Sequence, residues 1–164
     1  MPPVDDQLLA RWRAQLTGIN SSPLRFFELV EEAIAEATFP DIEFRDVVHR
    51  EGGWLTYDRI YLRIRHRTLY FDVSAFVAGH YLVVGYWLLH DAPGIRDLFA
   101  ELPAIGFVVD RALAPTTYYS VDLIETFQHV VHDAILRVCD DLSNGAEAPV
   151  LAEEDRQPIW EAIW

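Results

Sequence analysis

The sequence predicts an α+β fold in which a four-stranded antiparallel meander is preceded by one helix and followed by a short and a long helix packed on the sheet. Three observations favour this class. Between residues 42 and 90, β-branched and aromatic residues form runs that are separated by turns. Residues 23–37 and 120–142 instead space their apolar side chains at helical intervals. The chain has 164 residues, 51% of them hydrophobic, which is enough for one sizeable core.

One helix of the core is predicted before the sheet, and a short N-terminal helix lies ahead of that core. Residues 5–16 are predicted as a short helix, followed by a linker over residues 18–22. The next helix runs to about Ala37, because Ser22 can cap its start and Pro23 suits its first position. The apolar side of the first helix would consist of Leu8, Leu9, Trp12 and Leu16.

The first two strands are predicted at residues 42–49 and 57–66, with a turn between them. The second strand alternates cleanly, which is typical of a strand with two different faces. Its inward side chains would be Ile60, Leu62, Ile64 and His66, and its outward side chains Arg59, Tyr61, Arg63 and Arg65.

The run VSAFVAGHYLVVGYWLLH, residues 73–90, contains no formally charged residue. Its length just reaches the lower limit for a membrane-spanning helix. Its strand-forming residues, its internal glycines and the flanking Asp72 and Asp91 favour a hairpin instead. We therefore predict strands at about 68–77 and 81–90, joined by a tight turn at Gly79. Both faces of this hairpin are apolar, so the rest of the chain or a second subunit must cover them.

The C-terminal half is predicted to be mainly helical. A short helix is expected at residues 95–102, whereas residues 103–113 fit either a fifth strand or a buried helical turn. A long helix follows at about 120–142, and a last short helix over residues 158–164. The chain is thus interpreted as one domain, 1–164, with an N-terminal helix and linker (1–20), a core (22–142) and a tail (143–164).

Composition narrows the classes of partner and compartment. The net charge of −13 disfavours nucleic acid, because an acidic surface repels phosphate groups. A single cysteine permits no intrachain disulfide, and the first residues show no signal peptide, so a cytoplasmic location without membrane association is predicted. All thirteen basic residues are arginine. A GC-rich genome explains this most simply, and selection against free amines beside conjugation chemistry is the alternative.

Several residues are candidates for binding. The ridge of Arg59, Arg63 and Arg65 suits an anion or an acidic partner. The simpler interpretation is cross-strand pairing with Glu43, Asp41 or Asp58. The remaining candidates are Tyr118, Tyr119 and His132, which could border a pocket, and Trp160 and Trp164, which would dock on the body or on a partner.

Catalytic and metal-binding constellations are incomplete. His129 and His132 stand three residues apart on the long helix. His132, Cys139 and Glu125 could supply part of a zinc site, but no further ligand completes it. The simpler interpretation is that these residues lie at the half-buried edge of the apolar side of the helix and that the cysteine is structural. His90 beside Asp91 could act as an acid–base pair, yet their loop contains no nucleophile. We predict no cofactor.

Two stretches of the chain resemble a family of uncharacterised bacterial proteins. These stretches are YLRIRHRTLYFDVSAFVAGHYLVVGYWL, and TTYYSVDLIETFQHVVHDAILRVCDDLS with the later EEDRQPIW. The family pattern YLRxRRxxLxFD, TYYxxD, FQxxVHxA and ERxPI covers roughly residues 55–160. Members often have cysteine where this chain has Ser74, which argues against a thiol role there. The resemblance implies no reaction.

In the order of its elements the chain also resembles ubiquitin-conjugating enzymes. Those enzymes place a catalytic cysteine after the fourth strand, following a His-Pro-Asn motif. Here the matching place reads His90-Asp91-Ala92-Pro93-Gly94, without cysteine or asparagine. The resemblance therefore implies a non-catalytic relative.

Three functions follow as hypotheses. The first is a non-catalytic adaptor or accessory subunit of a bacterial cytoplasmic complex, partnered by another protein or by its own copies. The second is a conjugating enzyme, or a pseudo-enzyme of that class, in a bacterial protein-conjugation system, with Cys139 as the weak catalytic candidate. The third is a binder of a small ligand between the sheet and the long helix.

Overall fold

A computed structural model describes residues 7–19, 21–51, 57–91, 118–143 and 151–161. In chain order the elements are strand β1 (Gln7–Thr17), helix α1 (Pro23–Glu36), strands β2 (Glu43–Glu51), β3 (Tyr57–His66), β4 (Leu69–Ala78) and β5 (Tyr81–His90), helix α2 (Tyr118–Ser143), a 3₁₀ helix (Glu153–Arg156) and strand β6 (Ile159–Trp160). The fold class is α+β, as predicted.

The strands form one antiparallel sheet of six, in the order β2-β3-β4-β5-β1-β6. The meander β2–β5 is confirmed, but the strand count of four is wrong. The uncharged run forms β4 and β5, and Gly79 turns between them with a φ of 62°, a left-handed conformation that favours glycine. No helix in the described ranges is long and apolar enough to cross a membrane.

Both helices lie on one side of the sheet, which we call the inner face. Helix α1 begins as predicted: the hydroxyl of Ser22 accepts the amide of Arg25 over 3.1 Å, and Pro23 follows. The helices bury their apolar sides against alternate residues of the central strands, such as Phe71 and Tyr86. Phe71 meets Phe127 of α2 edge-on, with ring centroids 5.1 Å apart.

The N-terminal helix predicted over residues 5–16 is wrong where the structure describes it, because the chain from Gln7 onward is β1. Its buried positions alternate at the period of a strand, and Leu9 joins them where the register shifts between Leu8 and Ala10. Opposite β1, Gly85 has no room for a side chain, since a Cβ there would lie 2.8 Å from the carbonyl oxygen of Trp12. The alternating buried residues are Ala10, Trp12, Ala14 and Leu16.

The C-terminal helix predicted over 158–164 is also wrong where the structure describes it. Ile159 and Trp160 pair with Arg11 and Ala10 of β1, and the amide of Glu161 donates to the carbonyl of Leu9 over 2.9 Å. The helix predicted at 95–102, the ambiguous segment 103–113 and Trp164 lie outside the described residues. Ile60 was predicted to face inward, but at its end of β3 the side chain is not buried. Ile60 is 45% exposed, and Val48, its partner on β2, is 59% exposed.

Candidate functional site

The sheet face opposite the helices, here called the outer face, carries three of the predicted binding residues, Arg59, Arg63 and Arg65. Residues directly opposite each other on antiparallel strands share a face. On this basis Arg11, Trp87 and Ile159 form one row across three neighbouring strands, because Arg11 pairs with Trp87 on one side and with Ile159 on the other. All three side chains are exposed, with Trp87 at 37% and Ile159 at 56%. The outer face therefore presents an aromatic, a cationic and an aliphatic side chain side by side.

Two arginines of the predicted ridge are engaged inside the chain. The guanidinium of Arg63 donates two hydrogen bonds of 2.7 Å to the buried carboxylate of Asp72 and lies 4.2 Å from the ring centroid of Tyr70. Arg65 pairs with Asp91 and donates to the carbonyl of Arg67. Neither carboxylate is one of those considered from the sequence. These contacts hold both guanidinium groups in fixed places.

A histidine completes the arrangement around Asp72. The imidazole Nε2 of His49 lies 3.1 Å from the second carboxylate oxygen, and the ring meets Tyr61 edge-on at 5.0 Å. Tyr61, predicted to face outward, does lie on the outer face, but it is buried and also contacts Trp87, with ring centroids 6.0 Å apart. Asp72 is therefore held by two donors, and the network supports the base of the Trp87 ring.

The third arginine of the ridge, Arg59, lies over the ring of Phe76 at 4.7 Å. Arg13 approaches the same ring at 5.9 Å from β1, although β5 runs between them. Arg13 stands directly opposite Gly85. Since Gly85 has no side chain, it leaves the path across β5 open for the long side chain of Arg13.

A second candidate site is the cleft between α2 and residues 151–161, here called the C-terminal segment, and it has a volume of about 670 Å³. His132 lies at its base and makes two hydrogen bonds: its Nδ1 is 3.1 Å from the hydroxyl of Tyr86, and its Nε2 is 2.7 Å from the carbonyl oxygen of Arg156. The lining residues are Glu125, Gln128, His129, His132, Asp133, Leu136, Glu153, Arg156, Gln157, Pro158 and Trp160.

The C-terminal segment is held over α2 by polar contacts. The indole of Trp12 donates to the carbonyl of Asp155 over 2.7 Å, and Arg156 forms a two-pronged ion pair with Asp140. Burial lowers the pKa of His132 and raises the pKa of the Tyr86 hydroxyl, so both groups are neutral at pH 7. The arrangement positions one wall of the cleft. The sequence predicted His132 at the border of a pocket but not these hydrogen-bond partners, because they lie far away in the chain.

The reactive-residue candidates lie in structural surroundings. Cys139 is fully buried in the core, and burial raises the pKa of its thiol to about 12, so the thiol stays protonated at neutral pH. Asp91 pairs with Arg65, and His90 ends β5. His129 is exposed on α2, and within the described ranges no group of three or more His, Cys, Asp or Glu is placed to hold a metal. Tyr118 and Tyr119 begin α2, but their side chains lie outside the described part.

Comparisons with models of known protein families, with curated proteins and with solved structures find no match for this chain.

Proposed function

We propose that this protein is a non-catalytic interaction subunit of a bacterial cytoplasmic complex and that it binds its protein partner through the outer face of the sheet. The observation that carries this proposal is the exposed row of Trp87, Arg11 and Ile159. Tryptophan and arginine are the residue types that most often supply binding energy in protein interfaces. Large apolar side chains that stand together at a surface are typical of interaction sites.

The rigidity of this face supports the same function. Trp87 is supported by Tyr61, and the neighbouring Asp72 is fixed by Arg63 and His49. A preorganised surface loses little side-chain entropy when a partner binds. Within the described residues, two side chains that could take part in a reaction have structural roles instead. Cys139 packs in the core, and His132 makes hydrogen bonds.

The test is a comparison of two variants in the organism that encodes the protein. Trp87→Ala removes the aromatic side chain of the row, which is 37% exposed, whereas Leu24→Ala removes an apolar side chain from α1 that is 54% exposed. Quantitative mass spectrometry after affinity purification should identify a partner that the Leu24 variant retains and the Trp87 variant loses.

The partner is then purified and its binding measured by calorimetry. We expect Trp87→Ala to raise the dissociation constant about tenfold or more, which corresponds to the loss of about 1.4 kcal/mol. Ile159→Ala serves as a second variant of the same row. Circular dichroism must show that each variant is folded, and equal binding by all variants would contradict the proposal.

A second candidate function is binding of a small ligand in the cleft of about 670 Å³ beside His132, a volume in the range of small-molecule sites. Trp160 offers an aromatic wall there and is 38% exposed. A compound that raises the melting temperature of the wild type, and not of Trp160→Ala, would support this function. The conjugating-enzyme alternative gains no comparable support, because the thiol of Cys139 is buried.

A further inference from the structure

We propose that the occupant of the outer face is an acidic segment of a partner protein, with Trp87 and Ile159 contacting its apolar side chains and Arg11 and Arg13 contacting its carboxylates. This inference rests on the proposed function and adds to it the chemical class of the partner. It is carried by the distribution of charge between the two sides of the molecule.

The outer face collects arginine in a chain whose net charge is −13. The helix layer on the opposite side is acidic. The arginines of the outer face are Arg11, Arg13, Arg45, Arg59, Arg63 and Arg65, and they outnumber the carboxylates on or beside this face, which are those of Glu43, Asp72, Asp91 and Glu161. The exposed carboxylates of the helix layer include Glu28, Glu32, Glu36, Asp122, Glu125, Asp133 and Asp141, and they outnumber its exposed Arg25 and Arg137. An acidic partner is therefore attracted to the outer face and repelled from the helices, which orients it before contact.

Arg11 and Arg13 lie closest to the apolar row, and both have charge available for a partner. Within the described part of the chain, Arg13 has no carboxylate at ion-pair distance, and its contact is with the ring of Phe76. Arg11 pairs with Glu161 at 3.3 Å, but both side chains are largely in solvent, so this pair is weak and exchangeable. On β1, Arg11 lies opposite Trp87 of β5, and Arg13 lies opposite Gly85 of the same strand. Carboxylates of a partner would meet them at the edge of the apolar row.

The experiment selects binders from a random peptide library displayed on phage. The targets are the wild type, Trp87→Ala, Arg13→Glu and the control Arg137→Glu, which reverses an exposed arginine on α2. We expect wild type and control to enrich peptides in which Asp and Glu flank aromatic or aliphatic residues. The Arg13 variant should lose the acidic enrichment, and the Trp87 variant should enrich nothing in common with the wild type.

The affinity of each variant is then measured by fluorescence anisotropy with a labelled peptide from the wild-type selection. Arg13→Glu should weaken binding about tenfold or more, and Arg137→Glu by less than about twofold. Raising the ionic strength from about 0.01 M to about 0.15 M, which shortens the Debye length from about 30 Å to about 8 Å, should also weaken it. Oligothymidine serves as the nucleic-acid probe and should not compete.

Each contrary result identifies what is wrong. Peptides that depend on Trp87 but contain no excess of Asp or Glu would overturn the acidic class and leave the interaction face standing. Selection unaffected by Trp87→Ala would remove both proposals. Competition by oligothymidine would assign the face to nucleic acid. Light scattering that shows a dimer broken by Trp87→Ala would make a second copy of this chain the occupant.

Discussion

The hydroxyl of Tyr86 on β5 donates a hydrogen bond to Nδ1 of His132 on α2, and this bond joins the middle of the sheet to the long helix. The direction follows from the other side of the imidazole, where Nε2 must donate to the carbonyl oxygen of Arg156. The amide of Gln128 donates to the same hydroxyl over 3.2 Å. A chain of donors thus runs from Gln128 of α2 to Tyr86 of β5, back to His132 of α2, and from there to the C-terminal segment.

Replacing Tyr86 by Phe should destabilise the protein by about 1–3 kcal/mol, because a buried nitrogen and a buried amide donor lose their partner. Urea unfolding measures the change. Tyr81→Phe is the control, since Tyr81 is 44% exposed and should change the free energy of unfolding by less than about 0.5 kcal/mol. Equal effects of the two substitutions would contradict the role assigned to Tyr86.

The stability should fall in weak acid because of His132. Burial lowers its pKa in the folded state from the ordinary value of 6.5. Above pH 6.5 the imidazole is neutral in both states, whereas below it the unfolded chain binds a proton that the folded state disfavours. The free energy of unfolding therefore decreases as the pH falls below about 6.5, until the folded-state pKa is reached.

Urea unfolding between about pH 7.5 and pH 5.5 tests this dependence. His132→Gln should unfold with a shallower pH dependence than the wild type, although it is less stable at every pH. All other residues are the same in both proteins, so the difference between the two curves reports His132. Parallel curves would show that His132 does not contribute.

Gly85→Ala should destabilise the sheet by about 1–3 kcal/mol, the usual cost of overpacking. The new methyl group would lie 2.8 Å from the carbonyl oxygen of Trp12, so β1 must move away from β5. Hydrogen exchange should show faster exchange of the amides that join β1 to β5, with little change between β3 and β4. Uniform protection of both strand pairs would argue against this close approach.

Asp72→Asn and Asp91→Asn compare the contribution of a buried ion pair to stability with that of an exposed one. Asp72 is 5% exposed and holds both Arg63 and His49, so Asp72→Asn should cost about 3 kcal/mol, at the low end for a broken buried pair. Asp91 and Arg65 are 36% and 42% exposed, and Asp91→Asn should cost less than about 1 kcal/mol. Thermal and urea unfolding of both variants provide the comparison.

Cys139 should be unreactive in the folded protein. Its thiol is buried and its pKa is raised to about 12, so neither access nor thiolate is available at neutral pH. Ellman's reagent should label it only as fast as the protein opens, and the rate should rise with urea. Rapid labelling of native protein would restore Cys139 as a catalytic candidate.

The sequence predicted the central sheet well because its signals are local. Alternation in β3, the glycine turn after β4 and the cap of α1 at Ser22 each depend on neighbouring residues. The segment of β1 misled because Ala, Leu, Arg and Gln favour helices, and because Leu8, Trp12 and Leu16 are also spaced by four. Pairing with β5 outweighs this propensity, since it buries Trp12 and Leu16 in the core.

The candidate sites were less predictable because their parts lie far apart in the chain. Arg63 and Arg65 were recognised as a ridge, but their partners Asp72 and Asp91 come from other segments. The row of Trp87, Arg11 and Ile159 required the position of β1, which the sequence assigned to a helix. A two-residue strand such as β6 has no periodicity to detect.

The place of β1 in the sheet also affects how the protein is made. Thr17 sits opposite Tyr81 and Gln7 opposite His90, so β1 leaves the ribosome well before any of its partner strand. Until β5 emerges, the nascent chain exposes an unpaired apolar segment that only a late, non-local contact can cover. While the meander is being translated, β1 therefore has no partner strand, and exposed apolar strands of this kind favour aggregation.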